Sequence, residues 1–316
     1  MKRVLGIVAM VLLAGWLYVS IRHGQDVRDW WELRSYTPSA EIASLAANTT
    51  MSDEGRTLFY VHDPQIEDAA NFNKDCDTGE ATIVLGCYDG KGIYLFEAAD
   101  ERLDGIHEVT AAHEMLHAAY DRLSATERAE VDRLTTNELA KLSDPRILKV
   151  IAAYRERDAS VVPNELHSIF ATELRVISPE LESYYRRYFR DRATVVTFSE
   201  KYERVFTDIT NQVERYDAEL RLIKSKVDTL ESSLTADAND ITRARAELDR
   251  LLKQNNTAAY NDRVPGFNAS VEAYNASVGQ YKALIAEYNQ KVEERNRITL
   301  EQNQLVESLN SRAQEL

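Results

Sequence analysis

The chain has 316 residues, 28% of them charged, and a formal net charge of −14. That acidity argues against a nucleic-acid partner, because a polyanion is repelled at long range. Its two cysteines, with ten residues between them and no Cys-x-x-Cys, exclude a cysteine-built zinc finger.

In chain order, Val4–Ile21 comes first, an 18-residue run without a charge, preceded by Lys2 and Arg3. Such a run is near the lower limit for spanning a ~30 Å hydrocarbon core. Trp16 and Tyr18 suit an interfacial aromatic belt. No small-x-small cleavage site follows, so the run is expected to be an uncleaved transmembrane helix rather than a signal peptide. Lys2 and Arg3 place the N-terminus inside, although Arg22 and Arg28 follow closely on the other side. The expectation is a single-pass protein of the cell membrane with the rest of the chain extracytoplasmic. Residues 1–35 then form an anchor and stem, with Trp30, Trp31 and Leu33 at the bilayer surface.

Residues 36–198 have the length and composition of one globular domain. Arg56–Val61, Ala81–Tyr88 and Gly92–Phe96 are short and rich in β-branched or aromatic residues, which predicts strands. Asp89-Gly90 between the last two is a hairpin turn signal. Cys76 and Cys87 are expected to pair outside the cytoplasm and to be two buried thiols within it.

The run His113-Glu114-Met115-Leu116-His117 carries the chemistry. At 3.6 residues per turn, i and i+4 share a helix face, so both imidazoles can reach one Zn2+ ion. Glu114 can then hold the water that such an ion acidifies. Val109–Leu123 contains no Pro or Gly, and Ala111, Ala112, Ala118 and Ala119 suit a helix packed on every side. Catalytic zinc takes a third protein ligand. Leu123 and Tyr120 stand where the metzincin pattern needs histidine and glycine, which excludes that pattern. A downstream glutamate is the other solution. Pro163 suits a first helical turn, and Glu165 then lies early on a helix ending near Arg175. Glu173, eight residues on, is the rival ligand. His167 is expected to be a partly buried histidine, with carbonyl polarisation as the lesser alternative. Ser124-x-x-Glu127 is a capping box, and further helices are predicted at Pro145–Asp158, Pro163–Arg175 and Pro179–Arg190. The tyrosines of the last, Tyr184, Tyr185 and Tyr188, together with Phe189, are expected to pack rather than bind.

On these two segments the chain resembles the gluzincins, the thermolysin-like and aminopeptidase-like zinc peptidases. Asp121 follows His117 as an aspartate does in thermolysin-like enzymes. Asn164-Glu165 precedes the small Ser168 and the aromatic Phe170. The resemblance covers some 30 residues and implies His113, His117 and Glu165 as metal ligands and Glu114 as general base. It also implies a substrate-binding edge strand before the motif helix, a place that Gly92–Phe96 fills if it is not simply a core strand. The 47 residues between His117 and Glu165 exceed the spacing in the smaller members. No counterpart of their oxyanion-binding histidine or tyrosine is read from the chain.

Residues 199–316 change character. Tyr202, Ile209, Tyr216, Ile223 and Leu230 recur every seven residues, with Phe206, Val213, Leu220, Val227 and Leu234 offset by four. Ile241, Leu248 and Leu251 extend this heptad seam. A break is expected over Asn255–Gly266. A second seam follows through Phe267, Tyr274, Tyr281 and Tyr288, with Val271, Val278, Ile285 and Val292 at the complementary offset. Two seams about one breaker predict an antiparallel coiled-coil hairpin. The complete expectation is an N-terminal transmembrane helix, an α+β zincin-like catalytic domain over 36–198 and the helical hairpin over 199–316. Its function would be zinc-dependent hydrolysis of a peptide or protein substrate, with a possible protein partner on the coiled coil. The alternative is a structural or adaptor protein with a vestigial or regulated zinc site.

Overall fold

A computed structural model of the chain describes residues 24–76, 84–98 and 100–311. They fall into two units. One comprises the chain up to Val205 together with residues from Leu305 onward; the other is Phe206–Gln304.

The first unit is built around one buried helix. Its elements begin with helical residues 24–33 (α1), then α2 (Ala40–Asn48), α3 (Asp53–Val61), β1 (Gln65–Glu67) and α4 (Ala69–Asp75). Next come β2 (Gly86–Tyr88), β3 (Ile93–Phe96), a 3-10 turn at Glu101–Leu103 and α5 (Ile106–Asp121). Helices α6 (Ala125–Leu139), α7 (Pro145–Arg157), α8 (Val162–Thr172) and α9 (Pro179–Tyr185) follow. Helix α5 touches α2, α3, α8, β2 and β3. Its alanines are what let neighbours approach on so many sides: Ala111, Ala112 and Ala118 are fully buried beside Met115 and Leu116. Burying each of the two larger side chains contributes about 1.5–3 kcal/mol. The helix starts at Gly105, whose φ of 99° belongs to the left-handed region. Phe198 also lies 3.1 Å from where a Cβ at Gly105 would stand, so a side chain is disfavoured twice over.

At the far end of α8, Arg192 satisfies the helix's last carbonyls. Its guanidinium, 2% exposed, donates to the carbonyls of Phe170, Ala171, Leu174 and Arg175 and pairs with Glu182 at 2.9 Å. A cation at a helix C-terminus also opposes the negative end of the dipole.

The sheet is small. β3 lies in the middle, parallel to β1 and antiparallel to β2, with Cys87 opposite Tyr94. The β2–β3 turn is held by Asp89, whose Oδ1 accepts from the Lys91 and Gly92 amides. A disulfide joins Cys76, at the end of α4, to Cys87 in β2, with the Cα atoms 5.9 Å apart. It fastens β2 to α4.

Two expectations are corrected here. The structure is 77% helical and 4% strand, and its first unit is a helical domain carrying, among the described residues, a three-stranded sheet rather than an α+β zincin-like domain. One cause is visible at Arg56–Val61, which is helix α3 and not a strand. Ser52 accepts a hydrogen bond from the Gly55 amide, Asp53 and Glu54 occupy the first turn, and Gly55, Leu58 and Phe59 form one buried stripe. Capping and helical burial override the strand preference of Thr, Phe, Tyr and Val. Secondly, no helix among the described residues is long and apolar enough to cross a membrane. Val4–Ile21 lies outside those residues. The structure therefore does not support the expected transmembrane helix or the single-pass, extracytoplasmic assignment. Of the two readings of Gly92–Phe96 the core strand holds: β3 is the central strand, and the edge strand packed on α5 is β2.

The second unit belongs to two long helices, α10 (Arg192–Lys253) and α11 (Thr257–Ser308). Asp217 pairs with Arg295 at 2.9 Å, Glu219 with Lys291 at 2.8 Å and Glu247 with Arg263 at 3.6 Å. Numbers rise on one helix as they fall on the other, so the two run antiparallel. Ile209, Ile223, Val227, Leu248 and Leu251 of α10 and Ile298 of α11 are buried, while Tyr274, Tyr281 and Tyr288 are half-buried. The connection is shorter than the expected break. Only residues 254–256 interrupt the helices, with Asn255 at φ 55° and Asn256 Oδ1 accepting from the Ala259 amide. Pro265 and Gly266 lie inside α11. A proline there forfeits one backbone bond at a cost of about 3 kcal/mol, which the paired helices outweigh.

Candidate metal centre

His113 and His117 project from the same face of α5, with ring centroids 4.7 Å apart. Helix α8 lies along α5 and brings Glu165 to them from its first turn, just after Pro163. Carboxylate Oε2 is 3.6 Å from His113 Nε2, and Oε1 is 3.7 Å from His117 Nε2. One ligand atom from each of the three residues lies within 4.8 Å of the others. Tetrahedral coordination at bond lengths of ~2.0–2.1 Å sets neighbouring ligand atoms about 3.3–3.4 Å apart. The observed separations are close to that, and too long for hydrogen bonds. Glu165 Oε2 is moreover buried without a hydrogen-bond partner. A buried carboxylate oxygen left unpaired beside two imidazole nitrogens fits a divalent, nitrogen-seeking metal such as zinc.

The surrounding groups favour that arrangement. Ser168 Oγ lies 3.3 Å from His117 Nδ1, so that nitrogen is engaged and Nε2 faces Glu165. Burial works to raise the Glu165 carboxyl, but the neighbouring His113 and His117 imidazoles and the Tyr154 side chain outweigh it. The carboxyl is held below its ordinary range.

Glu114 is 5% exposed and lines the same cleft, of about 570 Å³. β2 passes directly over it. A Cβ at Gly86 would stand 2.5 Å from Thr110 Cγ2 and 3.0 Å from Glu114 Cγ, so only glycine allows this approach. The cleft is further lined by Tyr88, Asp121, Tyr154, Val161, Asn164 and Tyr202.

Glu173 is on the cleft wall but takes no part in the cluster. Its carboxylate pairs with Arg146 at 2.7 Å, and Arg146 also meets Glu203 at 3.2 Å. His167 turns away from the cleft altogether. It is fully buried among Tyr120, Tyr184, Tyr185 and Tyr188, with Nε2 at 2.9 Å from the Tyr184 hydroxyl. Burial, with the charges of His117 and His113 adding to it, pushes its imidazole down to about 3. A ring enclosed in this way does not reach the cleft and so cannot polarise a substrate carbonyl there. Tyr184, Tyr185 and Tyr188 serve as its packing.

Sequence reading had not assigned Gly86, Tyr154 or Tyr202 to the site. A glycine in a predicted strand was the available signal for Gly86, since it marks a bulge or a close approach. Tyr154 and Tyr202 carried none, because each also fits an amphipathic helical stripe. Comparison with family models, with characterised proteins and with solved structures finds no match to this chain.

Proposed function

We propose that the chain is a zinc-dependent metallopeptidase. The observation carrying this reading is the convergence of His113, His117 and Glu165 on one point beside the buried Glu114. In this reading His113, His117 and Glu165 hold the ion. Zinc bound there would supply Lewis acidity and bring a bound water's pKa towards ~7. Glu114, the cleft-lining carboxylate next to His113, takes the proton from the attacking water and returns it to the leaving amine. Its burial beneath β2 restricts competing solvent. β2 is the terminal strand of the sheet and borders the cleft, so an extended peptide can align along it by backbone pairing. Glu114 also weighs against the adaptor alternative, since a purely structural zinc site has no use for a base there.

The test is metal analysis of the purified protein together with cleavage of a peptide library. Wild type should carry about one zinc per chain and cleave, and Glu114→Gln should keep the zinc and lose cleavage. Glu165→Ala should lose zinc, whereas Glu173→Ala should retain it. Activity of Glu114→Gln equal to wild type would sink the mechanism. Zinc loss confined to Glu173→Ala would sink the ligand set.

A further inference from the structure

We infer that Asp121 sets the substrate class of the cleft: peptides with a lysine or arginine on one side of the scissile bond. The inference rests on the metallopeptidase reading and adds a specificity to it. Five carboxylates line the cleft, those of Asp89, Glu114, Asp121, Glu165 and Glu173, and among the described residues no lysine or arginine does. Four of the five have a task. Glu114 and Glu165 belong to the proposed centre, Glu173 pairs with Arg146 at 2.7 Å, and Asp89 Oδ1 accepts from the Lys91 and Gly92 amides. Asp121 is exposed, and among the described residues no donor or cation meets its carboxylate. The nearby cations are turned elsewhere. Arg122 pairs with Asp29 at 2.6 Å, and Arg128 lies over the Tyr120 ring and donates to the backbone carbonyls of Tyr120 and Asp121.

Position makes this unspent charge a selector. Val109, His113, His117 and Asp121 follow one another at intervals of four along α5, and all line the cleft. At ~1.5 Å per residue, Asp121 stands about 6 Å beyond His117 along the helix axis, and Val109 the same distance before His113. The two histidines mark where the scissile carbonyl sits, so one end of the row is a carboxylate and the other is apolar. The lysine or arginine side chain of a residue beside the scissile bond spans the distance to Asp121. Tyr88 lines the same cleft, with its hydroxyl 3.4 Å from Nε2 of the buried His62, and an aromatic ring attracts a cation further. A glutamate in that place is repelled, and specificity is the difference between the two. The selection survives metal loading, because Glu165 and Glu114 balance a divalent ion and Asp121 stays uncompensated.

The experiment uses the full chain and short peptides, uncharged and blocked at both ends, in which lysine, norleucine or glutamate replaces one position at a time. Binding is read by calorimetry on Glu114→Gln with zinc present, and kcat/KM is read on the protein with Glu114 intact. On one side of the scissile bond, lysine is expected to bind about fivefold more tightly than norleucine, the upper range for a solvent-exposed ion pair. That advantage should shrink at high salt. Asp121→Asn should erase the lysine-to-norleucine ratio, and Asp121→Lys should turn the preference towards glutamate. A merely structural aspartate would weaken all three peptides alike and leave the ratio unmoved. An equal ratio in Asp121→Asn and the parent, or no lysine preference in the parent, overturns the inference. An Asp121-dependent lysine preference in binding, with no peptide cleaved, would uphold the cation selectivity and sink the peptidase reading instead.

Discussion

The cleft-bearing unit and the hairpin unit are both largely helical, yet they are specified in opposite ways. Around the cleft, the decisive contacts join residues far apart in sequence: Ser168 meets His117 across 51 positions and Arg122 meets Asp29 across 93. Each such partner is used once and has no substitute. Along the hairpin, contacts repeat. Lys224–Asp228 and Arg250–Glu247 are pairs within one turn, and the cross-helix pairs recur along an apolar seam. Chemistry is concentrated where contacts are unique and buried. Length is built where they are periodic and exposed. Single substitutions should therefore act strongly in the first unit and hardly at all in the second.

The strongest test of that contrast is at the cluster. His113→Ala and His117→Ala should each abolish stoichiometric zinc after dialysis, because two remaining donors do not make a catalytic site. Retention of one zinc per chain with unchanged affinity in either variant would break the assignment. Next comes Arg192→Met, which removes the buried donor from four carbonyls and from the partly exposed Glu182. Breaking a buried hydrogen-bonded charge costs about 3–5 kcal/mol, so denaturant unfolding should show a loss of that order.

A smaller effect is expected from Gly86→Ala. The added methyl must displace Thr110 or Glu114, and overpacking of this kind costs about 1–3 kcal/mol. Zinc should stay bound while turnover falls, since the base moves and the ligands do not. Wild-type turnover in a stable Gly86→Ala protein would show that β2 does not govern Glu114. Smallest of all should be Asp217→Ala and Lys291→Ala on the hairpin. These partly exposed pairs are still screened by solvent, and melting curves should stay close to wild type. A marked fall in melting temperature would erase the distinction between the two units.

The two kinds of specification also explain what could be read before the fold was known. The heptad seams and the His113–His117 pair were visible because helical periodicity is a local property of the chain. Glu165 was reachable through a second motif on another helix. Helix α3 was misread because its residues prefer strands individually, and its cap at Ser52 and buried stripe only matter once neighbours exist. Whether Gly92–Phe96 is an edge or a core strand stayed open for a related reason: strand order depends on β1 pairing with β3, which no local signal announces. His167 looked half-available and is enclosed by tyrosines that follow it in the chain.

The sequence by itself thus determined which residues can hold a metal, which one can act as base, and that a long helical pair follows. Those are matters of residue type and spacing along one helix. Only the tertiary structure decided that Glu165 joins the cluster while Glu173 is bound to Arg146, and that β2 borders the cleft. Each of these depends on how separate elements pack. Packing settles such choices through burial and pairing, because an unpaired buried charge is costly and a paired one is fixed in place.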